Sequence, residues 1–383
     1  MLGGLLTFIF IRPFISSLAF PFLNFLYSAL FLIFLIIWII YKGISIKEIQ
    51  HLKYPLILFS LALIISAILA PNKLNSIKEL FRYITALFLL LIAASLTYKD
   101  KIRVIHAIIL SGLIISLLAL YQYFFGFKQM LEYLARHNLS SPAAIDYIQR
   151  KRIFLPFVTP NTLAGYLAMI IPLTLINKNK FWLIIPLSFT LLLTKSLGAF
   201  LSIFLAGGIY FYLRAKLKKR GMVILSGVVI LLGILVIIGL VFVTRTITLK
   251  EHLQPLFSTL MRIYYWKGAI SIIKARPLMG IGLGGLKNLS LMDSRYTHNS
   301  YLQIWAEMGL LGIAAWLWII FTSFNIGFKK LKKNGNQQNS ITLSLILVSF
   351  VFLIHNVIDF TFFLPEISFI WWIILGAMAS VSF

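Results

Sequence analysis

Stretches of about twenty apolar residues recur along this chain from end to end, and each is long enough to cross the hydrocarbon core of a bilayer. In order they run 3–19, 22–41, 54–71, 81–97, 104–125, 157–177, 181–195, 197–213, 221–243, 302–326, 341–359 and 361–382. No water-soluble fold buries so many, so the expectation is an all-α polytopic membrane protein with about twelve transmembrane helices. Composition agrees: 60% of the 383 residues are hydrophobic, 12% are charged, and the mean hydropathy is +0.96. The first segment has no small-residue cleavage site before the next span and is read as retained. With no cysteine in the chain, disulfides, thiolate nucleophiles and cysteine metal sites are excluded.

Short basic loops set the orientation. Lys42, Lys47 and Lys53 fall on one side with Lys99, Lys101 and Arg103, with Lys178 and Lys180, with the cluster from Arg214 to Arg220, and with Lys329, Lys330, Lys332 and Lys333. That side is expected to be the cytoplasm and to hold both termini; the loop with Lys73 and Lys78 is a minor exception. The organisation expected is N-terminal helices over 1–125, a first external loop over 126–156, central helices over 157–243, a large, partly helical external loop over 244–301, and C-terminal helices over 302–383. A net charge of +25 raises nucleic acid as a partner. Nearly half of the basic residues, however, lie in the cytoplasmic loops, where they set topology and attract the headgroups of membrane lipids. No zinc-finger spacing or phosphate loop competes, so no nucleic acid partner is expected.

The external loops are basic too, with Lys128, Arg136, Arg150, Lys151 and Arg152 in the first and Arg245, Lys250, Arg262, Lys267, Lys274, Arg276, Lys287 and Arg295 in the second. Positive charge at an outer surface asks for an anionic partner. Lipid headgroups satisfy it, and so does a diphosphate, to which arginine offers forked, charge-assisted hydrogen bonds; both stay open. MRIYYWKGAISIIKARP (261–277) sets Arg262 and Trp266 four apart beside Tyr265 and reads as an interfacial helix. GIGLGG (280–285) lacks the strand and spacing of a dinucleotide fingerprint. Its glycines fit a flexible turn or close packing, with backbone amides facing an anion as the alternative.

Polar chemistry concentrates in THNSYLQIWAEMGLLG (297–312). Ser300 with Gln303 reads as a capping box that starts a helix near Tyr301 and leaves His298 and Asn299 just outside its first turn. Glu307 then lies roughly 9 Å into the helix, where a carboxylate needs a partner or a wet cleft. Two readings stand side by side: a site, or a plain cap with Glu307 paired to a neighbouring Lys or Arg. In HNVID, His355 and Asp359 are one helical turn apart and are expected to hydrogen-bond, either as a structural clamp or as part of a site; Glu366 returns one turn into the last span. RIFLPFVTPNTLAGYL carries Arg152 ahead of the sixth span, with Pro160 and Asn161 in its first turns. All these groups fall toward the outer side, and convergence from separated segments favours an outward-facing site.

Those segments carry a resemblance. RPLMGIGLGG, followed after a polar gap by HNSYLQIWAEMGLLG, resembles the signature of the O-antigen ligase and O-antigen polymerase superfamily. RIFLPFVTPNTLAGYL and TKSLGAFLSIFLAG resemble two of its earlier segments, so the likeness covers most of the chain from about Arg150 onward. It implies a GT-C-like architecture and a glycosyltransferase of the bacterial inner membrane, with its active site on the external face. The implied donor is a glycan on undecaprenyl diphosphate, and the implied acceptor a sugar hydroxyl, on lipid A core in a ligase or on a glycan in a polymerase. No metal or other cofactor is implied. The resemblance assigns Arg152 and Arg262 to the donor diphosphate, His298 to acceptor activation and Glu307 to the same motif, and it likens His355 and Asp359 to a polar element near the family's C-terminus; Asn161, Tyr265, Trp266, Asn299 and Tyr301 are read beside them as supporting candidates. Where the family often has Ser-Arg-Gly this chain has Ser196, Leu197 and Gly198, so that cation is absent unless Lys195 replaces it. A transporter whose pathway these charges line is the alternative; no pair of broken helices repeats in matching halves.

Overall fold

A computed structural model describes residues 1–137, 142–176, 182–218, 254–288, 296–333 and 336–381. The span expected over 221–243 lies outside them, as do Arg245, Lys250 and Arg295. The helices are α1 (Leu2–Ile11), α2 (Pro21–Lys42), α3 (Lys53–Leu69), α4 (Lys73–Ser95), α5 (Tyr98–Tyr121), α6 (Phe127–Arg136) and α7 (Pro142–Gln149). After them come α8 (Pro160–Ile170), α9 (Ile184–Thr194), α10 (Leu197–Lys218), α11 (Gln254–Ala275), α12 (Ser300–Lys333), α13 (Asn336–His355) and α14 (Pro365–Ala379). There is no strand among the described residues. Among the described residues six segments, Pro21–Lys42, Ile46–Leu69, Tyr98–Arg136, Leu197–Arg214, Ser300–Lys332 and Gln338–His355, are long and apolar enough to cross a membrane. The chain is therefore an all-α, multi-pass membrane protein.

Apolar but for Glu366 and Ser368 near its start, α14 is buried along its whole length. Around it pack α4, α12 and α13; α3 lies on α12, and α8 and α10 lie on α13. By contrast α2 leaves Phe22, Ile40 and Tyr41 exposed, an exterior that suits lipid. A smaller apolar cluster of Tyr265, Ile273, Leu286 and Ala306 docks α11 against α12.

Three local breaks position the polar cluster. A π-helical turn over Gln122–Gly126 joins α5 to α6, so the helix runs on past the apolar window. Phe127, Met130, Leu131 and Leu134 keep a helical apolar spacing there, which a hydropathy average misses because polar residues separate them. Such turns often sit at functional sites, and this one aims the buried Gln122 at the chain ahead of α8. Its Oε1 accepts the amides of Phe154 at 2.8 Å and Leu155 at 3.0 Å.

The second break is at Gly309, where φ is 65° inside α12, a conformation that costs a residue with a Cβ about 1–2 kcal/mol. It frees the carbonyls of Ala306 and Glu307, which accept Ile281 N at 2.9 Å and Gly282 N at 3.0 Å, while Leu310 N turns to Pro277 O at 2.9 Å. Ser66 Oγ adds a bond to Glu307 O at 2.9 Å. The carbonyls of Ala306 and Glu307 and the amide of Leu310, released by the kink, thus each find a partner. The glycine stretch is packed rather than loose: a Cβ on Gly282 would lie 2.3 Å from Ala70 Cα.

The third break corrects the expected His355–Asp359 pairing along a helix. Since α13 ends at His355, Asp359 lies in the turn that follows, and its Oδ1 accepts Phe360 N at 2.7 Å.

Candidate functional site

His298 sits on a left-handed turn, φ 52°, immediately before α12. Its neighbours hold the turn. Thr297 Oγ1 donates to Asn299 O at 2.7 Å and accepts Asn299 N at 3.2 Å, and Asn299 Oδ1 accepts Leu302 N at 3.0 Å. Asn299 is therefore the N-cap, which corrects the expected Ser300–Gln303 capping box. Tertiary partners win over the local pattern: Ser300 gives its amide to Asn356 O at 2.9 Å and its hydroxyl to Asn356 Oδ1 at 2.7 Å. Gln303 Oε1 instead accepts Thr297 N at 3.3 Å.

The imidazole of His298 stacks on Tyr265, centroids 5.9 Å apart at 18°, and meets the edge of Phe360 at 4.8 Å and 90°. Its Nδ1 is buried without a hydrogen-bond partner. Burial lowers the pKa of His298 below the ordinary imidazole value, Asp359 pulls it up, and Arg262 pushes it down further. The ring is consequently neutral near pH 7 and has a nitrogen lone pair with which to take a proton.

Arg152 comes from the chain that Gln122 pins down. It donates from Nε to Thr194 O at 3.0 Å and from Nη2 to Asn161 Oδ1 at 3.1 Å, and its guanidinium lies 5.7 Å from the Tyr147 ring centre. Burial lowers its pKa, Tyr147 and Asp146 raise it, and Arg150 and Arg262 lower it again. Arg262 thus acts electrostatically on both Arg152 and His298. Neither arginine has an ion-pair partner among the described residues. Lys195, also at a left-handed position, donates to Arg150 O at 2.7 Å and lies within the electrostatic reach of Arg152. A cation therefore stands beside the arginine at the point where the Ser-Arg-Gly pattern is interrupted.

His355 is packed between α8 and α10. A Cβ on Gly165 would lie 2.6 Å from its Nε2 and one on Gly198 would lie 3.7 Å from its Nδ1, so two glycines make its room. Its Nε2 is 3.6 Å from Asp359 Oδ2, a charge contact in place of the expected hydrogen bond, because that carboxylate is turned onto the backbone of Phe360.

Arg152, Asn161, Arg262, Tyr265, His298, His355 and Asp359 are linked into one polar region. Trp266 follows Tyr265 on α11 with its Nε1 buried and without a hydrogen-bond partner. Tyr301 points inward instead, donating to Leu353 O at 3.0 Å and packing on Trp316. The Glu307 carboxylate meets Gly284 N at 3.2 Å and Gln303 Nε2 at 3.4 Å; the carboxylate that acts on His298 is Asp359. Among the described residues no group of three or more His, Asp or Glu is placed to hold a metal. Gln122, Gly165, Asn356 and Phe360 escaped the reading of the sequence. Only Gln122 and Asn356 left a signal, as amides within apolar surroundings.

Residues 181–317 match the family described as O-antigen ligase. A protein of Rickettsia prowazekii (strain Madrid E) whose provisional name is polysaccharide ligase is 24% identical over 284 residues, covering 69% of this chain and 66% of that one. A similarly named protein of Rickettsia typhi (strain ATCC VR-144 / Wilmington) is 24% identical over 159 residues, 38% of this chain and 39% of that one. The match thus spans just under two thirds of the first relative's length. The packed glycine loop, the left-handed histidine turn and the start of the broken helix α12 all fall within the residues that match the O-antigen ligase family.

Proposed function

We propose that this protein is a glycosyltransferase of the bacterial inner membrane that moves a glycan from undecaprenyl diphosphate to a sugar hydroxyl of lipid A core, on the external face, with both termini in the cytoplasm. The observation that carries the reading is two guanidiniums without ion-pair partners among the described residues, one of which, that of Arg262, acts on the half-buried, neutral imidazole of His298. In the proposed step the acceptor oxygen attacks the anomeric carbon as the bond from that carbon to the diphosphate oxygen breaks. His298 takes the hydroxyl proton, and the diphosphate leaves with the bonding electrons toward Arg152 and Arg262. Cations aimed at charge that develops only in the transition state are the large term in such catalysis, and they can serve where other enzymes place a divalent ion. Attack opposite the leaving group inverts the anomeric configuration.

The test is a purified, folded protein given undecaprenyl-diphosphate oligosaccharide and lipid A core in excess chelator. Glycan joined to lipid A core is the expected product. Repeats lengthening on the polyprenyl carrier would reassign the protein as a polymerase, and a strict divalent-ion requirement would overturn the metal-free step. Single cysteines placed over 254–288 should react from outside intact cells and one at Lys332 should not; the reverse pattern would overturn the orientation.

A further inference from the structure

Three hydrogen bonds connect the glycine loop to the His298 turn. Gly284 N donates to Glu307 Oε2 at 3.2 Å, Gln303 Nε2 donates to Glu307 Oε1 at 3.4 Å, and Thr297 N donates to Gln303 Oε1 at 3.3 Å. Thr297, Gln303 and Glu307 are all buried, and the two side chains lie one turn apart on the same face of α12. The loop end is held twice, since the backbone of Glu307 also accepts Gly282 N. At the other end the last bond lands on the amide just before the left-handed histidine.

We propose that Gln303 and Glu307 are positioning residues that fix the backbone turn carrying His298 to the glycine loop. The proposal rests on His298 being the base, and it gives Glu307 a task that needs no contact with the substrate.

The polarity of the line makes the proposal testable. Both ends are N–H donors, so one of the two side chains must present two acceptors and the other one acceptor and one donor. Glu307 and Gln303 meet that condition. Glu307→Gln sets donor against donor somewhere along the line, while Gln303→Glu sets two carboxylates face to face. The exchanged double variant, Gln303→Glu with Glu307→Gln, restores every bond in reversed order and keeps one carboxylate in the pair.

The experiment uses the full chain in four forms: parental, the two single variants and the exchange. Modification of His298 by diethyl pyrocarbonate is followed by peptide mass spectrometry, with the exposed His51 as internal reference. Each single variant should raise His298 reactivity by about threefold or more, and the exchange should return it to within about twofold of parental, a coupling that independent sites do not show. In the transfer assay kcat should fall about tenfold in the single variants at unchanged donor KM, and recover in the exchange. Single variants at the parental rate, or losses that merely add in the exchange, would overturn the proposal. Should a single variant not fold, Gln303→Ala takes its place: it deletes the link without opposing like groups, and unchanged His298 reactivity there overturns the proposal. If the exchange pattern appears in His298 reactivity while the parental protein makes no product, the hold on the turn stands and the glycosyl-transfer reading falls.

Discussion

Arg12 and Arg152 are both arginines of a membrane protein held out of water, and they differ in company. Arg12, 1% exposed, meets Glu366 at 3.4 Å, donates to Ile15 O at 2.9 Å and bonds Asn24; Glu366 in turn accepts Ser17 N at 2.9 Å. Arg82 is similar, with Glu79 at 2.8 Å and Phe362 O at 3.1 Å. In both a carboxylate answers the charge, although Arg12 Nε and Arg82 Nη2 stay buried without a hydrogen-bond partner among the described residues, and the contacts tie Arg12 to α14 and Arg82 to the turn after α13. Arg152 has only neutral acceptors, and Arg262 acts on it as a like charge. Arg152 is half-buried among neutral acceptors and beside the like charge of Arg262, while Asp146, which acts on it, is paired with Arg150, so its guanidinium is left able to take an anion. In this protein compensation separates scaffold from site better than burial does.

Breaking the closed pair should have the largest effect on the fold. Arg12→Ala or Glu366→Ala leaves one charge uncompensated and should cost about 3–5 kcal/mol, read as a lower Tm and yield in detergent, with the activity of the folded fraction unchanged. Arg152→Ala and Arg262→Ala should do the opposite: transfer falls about 10²–10³-fold, or about 3–4 kcal/mol in the transition state, while Tm stays near parental. Lysine at either position should restore little, because it lacks the planar fork. If either alanine variant loses stability and not turnover, the comparison fails.

A smaller effect sharpens it. The base form of His298 is neutral and its folded pKa is lowered by burial, so activity is fully present above that value and is lost as pH falls through it. The acid limb of kcat/KM should therefore lie below about 6.5, the unperturbed value. Asp359 raises that pKa and Arg262 lowers it, so Asp359→Asn should move the limb down and Arg262→Ala should move the residual activity's limb up. Shifts in the same direction would contradict the placement of these groups. Smallest is the cap: Asn299→Ala should cost about 1 kcal/mol of stability.

The all-α membrane class was legible because length and apolarity survive averaging along the chain, although six of about twelve expected spans are long and apolar enough to cross a membrane among the described residues. Arg152, Arg262, His298 and Asp359 stood out as candidates because they are rare charged or titratable residues in apolar surroundings. What failed was local detail set by partners far away in sequence. Ser300 reads as a cap until Asn356 claims it, and Asp359 reads as the next turn of a helix that stops at His355. Gln122 gives no hint of its target 32 residues away. The glycines offered two readings, and both hold in part: they pack closely, and one amide faces an anion, which is the protein's own Glu307.

The most direct test of the central claim is transfer by His298→Ala, measured with a defined undecaprenyl-diphosphate oligosaccharide alongside donor binding and Tm. The account predicts donor binding and Tm near the parental values and product formation reduced about 10²–10⁴-fold, the range for a lost general base. Parental turnover in that variant, with donor still bound, would contradict it.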